Sequence, residues 1–156
     1  MRCRGDAGQI AGAEAVLFGV LLFAIGSLII ANAWGVLDAR AASTAAAREA
    51  VRTIVESRRT TAEAAVADAR AVADETLRGY GRSLGGRGRF VPERVDFRRC
   101  GEVTIRVEYD VPLIVLPIAG GRGRGFTAVG RHTEIVDPYR SGVPGTATCN
   151  VGGTVP

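Results

Sequence analysis

Between Glu14 and Asp38 lie 23 consecutive residues, 15–37, without a charged side chain, and Ser27 and Asn32 are their polar members. As a helix rising 1.5 Å per residue this run is roughly 35 Å long, against about 30 Å of hydrocarbon in a bilayer. Leu, Ile, Val and Phe occupy several of its faces, so a chain of 156 residues would have to cover it on all sides to use it as a core helix. The run therefore reads as a single membrane span. A cleaved secretory signal is the competing reading, because Ala31-Asn32-Ala33 fits the small-x-small pattern of signal peptidase. Against it, the run exceeds the roughly 7 to 15 apolar residues of a usual signal, and Glu14 stands where a basic segment belongs.

Charge does not fix the orientation, since Arg2 and Arg4 precede the run while Arg40, Arg48 and Arg52 follow it. The cysteines lean one way. Cys100 and Cys149 share the C-terminal region and could pair in an oxidising compartment, leaving Cys3 on the reducing side; three separate thiols are the alternative. The expected topology is a cytoplasmic N-terminus and an extracytoplasmic C-terminal module in the cell membrane.

Composition removes several classes of chemistry. All 20 basic residues are Arg, and the chain has no lysine. Walker-type phosphate loops, Schiff-base enzymes and protein kinases need one. A single histidine, His132, and three widely spaced cysteines leave no multi-His metal site and no C-x-x-C pair. No nucleophile and base can be named together, so the expectation is a non-enzyme without metal or cofactor.

Past the span, residues 38–57 are alanine-rich and free of Gly and Pro, which predicts a helical stalk continuing the membrane helix. Thr60-Thr61-Ala62-Glu63 reads as a capping box, with Thr60 as the cap of a second helix. Ala62, Ala65, Val66, Ala69, Ala73, Leu77 and Tyr80 form its apolar stripe, and Gly79 and Gly81 end it. Residues 79–90 read as a Gly- and Arg-rich loop, followed by a short strand around Val95 and Phe97. Val103, Ile105, Val107 and Tyr109 alternate with polar residues as a half-buried strand, and 126–136 reads as another, with Val129, Arg131, Thr133 and Ile135 on one face. Pro112 and Pro117 make the apolar run 111–118 an edge strand or extended crossing, too short to span a membrane. The expected fold is α+β: a tail or leader over 1–14, the span over 15–37, stalk and second helix over 38–80, and a small, mostly antiparallel β-rich module over 81–156.

Three features invite function. Ala15, Gly19, Phe23, Ser27, Ala31 and Gly35 recur every fourth residue and, Phe23 apart, are small enough to let another helix approach in lipid. Glu14 places a carboxylate at the edge of the span, where burial would require a cationic partner and exposure would leave it solvated among headgroups. Arg87 and Arg89 lie in one Gly-Arg-Gly tract, Arg122 and Arg124 in another, and such tracts can engage acidic polymers, lipid headgroups or single-stranded nucleic acid. The chain-wide preference for Arg favours solvated loops over a nucleic-acid site. His132 sits mid-strand and reads as a surface residue.

Gly8 and Gly12, then Glu14, then an apolar span running through Asn32-Ala33-Trp34 into Ala45-Ala46-Ala47-Arg48-Glu49-Ala50, resemble the TadE-like pseudopilins of tight-adherence (Flp) pilus assembly, actinobacterial members above all. The likeness covers roughly residues 8–50; Val136-Asp137-Pro138-Tyr139-Arg140 is similar more loosely. It implies a pilin-like fold and a minor subunit assembling with other pilin-like subunits in the lipid bilayer. It implies that Glu14 neutralises the N-terminal amine of a neighbouring subunit, and that a prepilin peptidase cleaves near Gly8 and Gln9. Cleavage between those two would make Glu14 the sixth residue of the mature chain.

Overall fold

The computed structural model describes residues 7–112 and 125–149, with side chains from Glu14 onward. A single helix, α1, runs from Ala7 to Glu56, about 75 Å at 1.5 Å per residue. A second, α2 (Ala62–Gly79), folds back against it. Three strands follow, β1 (Gly88–Val95), β2 (Glu102–Val111) and β3 (Phe126–Ile135), in one antiparallel sheet of order β1-β2-β3. The α+β layout, with a long apolar helix, a second helix and a small antiparallel sheet, is the expected one.

The outer half of α1 is the spine of the globular part. Ala39, Ala42, Ala46, Ala47, Ala50, Val51 and Ile54 are fully buried. From Ala42 onward they pack with Ala65, Ala69, Ala73 and Leu77 of α2 and with Val103, Ile105 and Val107 of β2, in one core. Alanine is the best helix former and presents almost no side-chain thickness, so the layers approach closely. The closest approach is at Gly130 of β3. A Cβ there would overlap the carbonyl carbon and oxygen of Ser43 and the amide nitrogen of Thr44, so the backbone of α1 rests directly on the strand.

That contact decides how β3 faces. Its helix-facing residues are Ala128, Gly130, His132 and Glu134, while Val129, Arg131, Thr133 and Ile135 form the outer face. The grouping into faces follows the sequence period, but the core side is the small one rather than the apolar one. His132 lies half-buried on this inner face, 2.8 Å from the Glu134 carboxylate, and not on the open surface expected of it. The outer face carries an ion-pair ladder in which Glu93 reaches Arg106 at 2.9 Å and Arg131 at 2.7 Å.

Two boundaries differ from the sequence reading. The cap of α2 is Thr61, whose hydroxyl accepts from the Ala64 amide at 3.3 Å, not Thr60. Adjacent threonines serve a cap equally well, and Glu63 complements the helix dipole from either register. Arg59 then clamps the turn by donating to both Asp68 oxygens, which holds that carboxyl below its ordinary pKa. The loop after α2 is also shorter than expected, because β1 begins at Gly88. Its strand character is masked by Pro92, tolerable on an edge strand, and by a bulge between Pro92 and Arg94.

The C-terminal end of α1 has no glycine cap. Instead the Arg140 guanidinium donates to the carbonyls of Ile54 (3.2 Å), Val55 (2.8 Å) and Ser57, with Phe97 stacked 4.8 Å beneath it. Three carbonyls of the negative helix end thus meet one planar cation. Burial pushes the Arg140 pKa down, though an arginine starts so high that it stays charged at neutral pH. The chain that carries Arg140 is itself fastened. The Val136 amide donates to the Gly101 carbonyl and its own carbonyl accepts from the Cys100 amide, Arg99 holds the carbonyls of Arg140 and Pro144, and Cys100 is disulfide-bonded to Cys149 across 49 residues. In chain-entropy terms a cross-link of that span stabilises by about 4 kcal/mol.

Two substitutions separate close approach from polarity. Gly130→Ala is expected to lower stability by about 2–3 kcal/mol or more, since neither backbone can yield. Ser43→Ala removes a buried hydroxyl that has no hydrogen-bond partner among the described residues, and should be neutral or stabilising by up to about 1 kcal/mol. Thermal unfolding of the two variants in micelles checks the contrast; equal melting of Gly130→Ala and the parent would contradict it. Arg140→Met should cost about 2–3 kcal/mol, and Arg140→Lys should recover only part of that, because an ammonium cannot span three carbonyls. Denaturant unfolding with the disulfide kept oxidised reads both.

Candidate functional site

The inner half of α1 is largely exposed, with Gly26, Leu28, Asn32, Gly35 and Val36 partly covered. Twelve large apolar side chains between Val16 and Leu37 are uncovered, with Phe23 at 78% and Trp34 at 72% exposure. Leaving them in water would cost on the order of 20 kcal/mol. This helix is long and apolar enough to cross a membrane, and none of its most apolar stretch is buried. Gly19 and Gly26, which weaken a helix in water by about 1 kcal/mol each relative to Ala, are well tolerated in lipid.

The residues singled out from the sequence distribute unevenly along this helix. Glu14 is exposed at the start of the apolar stretch. Ala15, Gly19, Ser27 and Ala31 are exposed, and nothing lies within 4 Å of where a Gly19 Cβ would be. Every fourth residue advances by roughly 40° about a helix axis, so the row from Ala15 to Gly35 winds around α1 rather than following one face. Its last member, Gly35, is already used within the chain: a Cβ there would stand 3.8 Å from Val111 Cγ1 of β2. Gly8 and Gln9 fall in the first turn of α1, ahead of Glu14, where the described side chains begin.

Of the two Arg-Gly tracts, the arginines of the first lie within the described residues. Arg89 lies in β1, 3.4 Å from Glu108 and 3.5 Å from Asp110, so its charge is matched within the sheet. Arg87 is exposed in the turn before β1. Arg122 and Arg124, and the apolar crossing beyond Pro112, lie outside the described residues.

No protein-family model, curated protein or solved structure matches the chain.

Two arginines absent from the sequence-level candidates hold the site together. Arg140 closes the far end of α1. Arg82, in the turn after α2, reaches Asp38 at 2.7 Å and the Tyr80 carbonyl at 3.0 Å, and lies over the Tyr109 ring at 5.5 Å. Asp38 is the first charged residue after the apolar stretch, so this pair ties the base of the globular part to the helix at the border of its apolar half. In the sequence both were two more arginines in a chain full of them. A periodic pattern marks a face, but nothing in spacing marks the partner of a single long side chain.

Proposed function

We propose that the chain is a non-enzymatic, single-pass membrane subunit of TadE-like, pseudopilin type, taking part in the assembly of a Flp-type pilus or related secretion machinery. Its N-terminus is cytoplasmic and its module, residues 81–156, extracytoplasmic. The observation that carries this reading is the division of one unbroken helix. Between Val16 and Leu37 twelve large apolar side chains are exposed, while from Ala39 to Ile54 the same helix is the buried spine of an α+β head. A helix built this way can pack side by side with others in lipid while the heads make specific contacts outside.

Glu14 supplies the electrostatic part of the proposal. At the inner end of the apolar stretch an ionised carboxylate is costly to bury alone, and the terminal amine of a neighbouring subunit would pair with it. Removal of a leader between Gly8 and Gln9 by a prepilin peptidase would leave the whole apolar stretch in place. The Cys100–Cys149 disulfide suits an oxidising, extracytoplasmic side. The alternative, a binding module that uses its Arg-Gly loops on acidic polymers, finds less support, since Arg89 is matched by two carboxylates.

Glu14→Gln tests the role of the carboxylate. Membrane insertion should be unchanged, because the apolar stretch is intact, while incorporation into fibres should fall about tenfold, the loss expected for one charge-assisted pair. Fractionation of membrane-bound and sheared fibre material measures both; undiminished incorporation would refute the role.

A further inference from the structure

The β2–β3 end of the sheet comes down alongside the apolar helix, below the level at which the helix leaves the membrane. From Glu14, 30 Å of hydrocarbon takes about 20 residues of helix and ends near Trp34, a residue type that favours the interface. The sheet meets α1 on both sides of that level. Val111 touches the Gly35 position, Pro112 shares a cleft with Ala31, Asn32 and Gly35, and Phe126 lines a groove with Ile29, Ala33 and Leu37. Ile29 is roughly 8 Å deeper than Trp34 along the helix.

The side chains at this end are of the wrong kind for water. Val111, Pro112 and Phe126 are apolar, and Phe126 is 54% exposed. Beside this base stand Tyr80, 45% exposed, and Arg87, exposed, an aromatic and a cation of the kinds that settle among phosphates. The base is also held in place. Gly130 rests against the α1 backbone, and Arg82, in the turn after α2, bonds Asp38 while lying over the Tyr109 ring of β2, so the level of the sheet is set by that of α1.

We infer that the base of the sheet, Pro112 and Phe126 with Trp34 and Leu37 of α1, is a second membrane contact, seated at the headgroup–acyl boundary of the phospholipid bilayer that α1 crosses. Phe126 and Pro112 lie against the upper acyl chains, and Arg87 faces headgroup phosphates. The inference rests on α1 spanning the membrane. It gives the head a fixed orientation on the bilayer, since a helix alone would let the head rotate and tilt, whereas a second contact removes that freedom.

The test uses the full chain with Cys3→Ser, placed as single copies in phospholipid nanodiscs and labelled with a small fluorophore at one introduced cysteine. Phe126→Cys probes the base, Phe23→Cys the middle of the span and Tyr139→Cys the far end, whose side chain is 82% exposed. Quenchers are lipid nitroxides at shallow and deep acyl positions and aqueous iodide. The expected result is shallow-nitroxide quenching at 126 several-fold above that at 139, protection of 126 from iodide, and deep-nitroxide quenching at 23. Iodide reaching 126 as freely as 139, with 23 still quenched by lipid, would overturn the inference and leave the span standing. Protection of 126 from lipid and iodide alike would also overturn it, by showing that protein covers the base. Absence of lipid quenching at 23 would overturn the span and the inference with it. Pro112→Cys, at a second exposed position on the base, must give the same result as Phe126→Cys.

Discussion

The contact between the α1 backbone at Ser43–Thr44 and Gly130 of β3 is the constraint on which the rest of the structure depends. It sets the distance between helix and sheet at backbone thickness, and the small residues follow from it. Ala39, Ala42, Ala46 and Ala50 on the helix, and Ala128 beside Gly130 on the strand, are what such a distance admits. A layer this thin buries little apolar area for each residue, so the core relies on many short side chains with Ile54, Leu77 and Ile105 as its larger fillers. Close fit rather than bulk holds the head on its helix.

The remaining stability is supplied at the edges. Arg140 answers the carbonyls that the end of α1 leaves open, and the disulfide with the Arg99 bonds keeps the Arg140 segment where it is needed. At the other end Arg82 bonds Asp38. The head is thus fixed to both ends of the buried spine of α1, and beyond Asp38 the helix continues past the base of the sheet as a largely exposed apolar segment. Force or orientation imposed on one half of such a helix is transmitted to the other.

The parts legible in the sequence were those with a period. The 23-residue apolar run, the stripe Ala65, Ala69, Ala73, Leu77, and the alternation from Val103 to Tyr109 each announce an element because burial repeats at the spacing of the backbone. β1 carries little signal because Pro92 and a bulge break its alternation, and the inward side of β3 is hidden because a glycine, not an apolar residue, marks it. Arg82 and Arg140 act through contacts 44 and 86 residues away in sequence, which no local pattern encodes. Of the candidate site, Glu14 and the exposed apolar positions were visible from composition, while the approach of Val111 and Phe126 to the helix needed the tertiary structure.

In the reading proposed above, the functional protein keeps its apolar half joined to its head through one helix. The N-terminal residue of the mature protein, taken from both the membrane fraction and the surrounding medium, tests it most directly. The expected start is at or before Glu14, with Gln9 the start if a leader is removed, so that residues 15–37 remain attached to the buried spine. A start at Trp34, following cleavage after Ala31-Asn32-Ala33, would separate the two halves and contradict it.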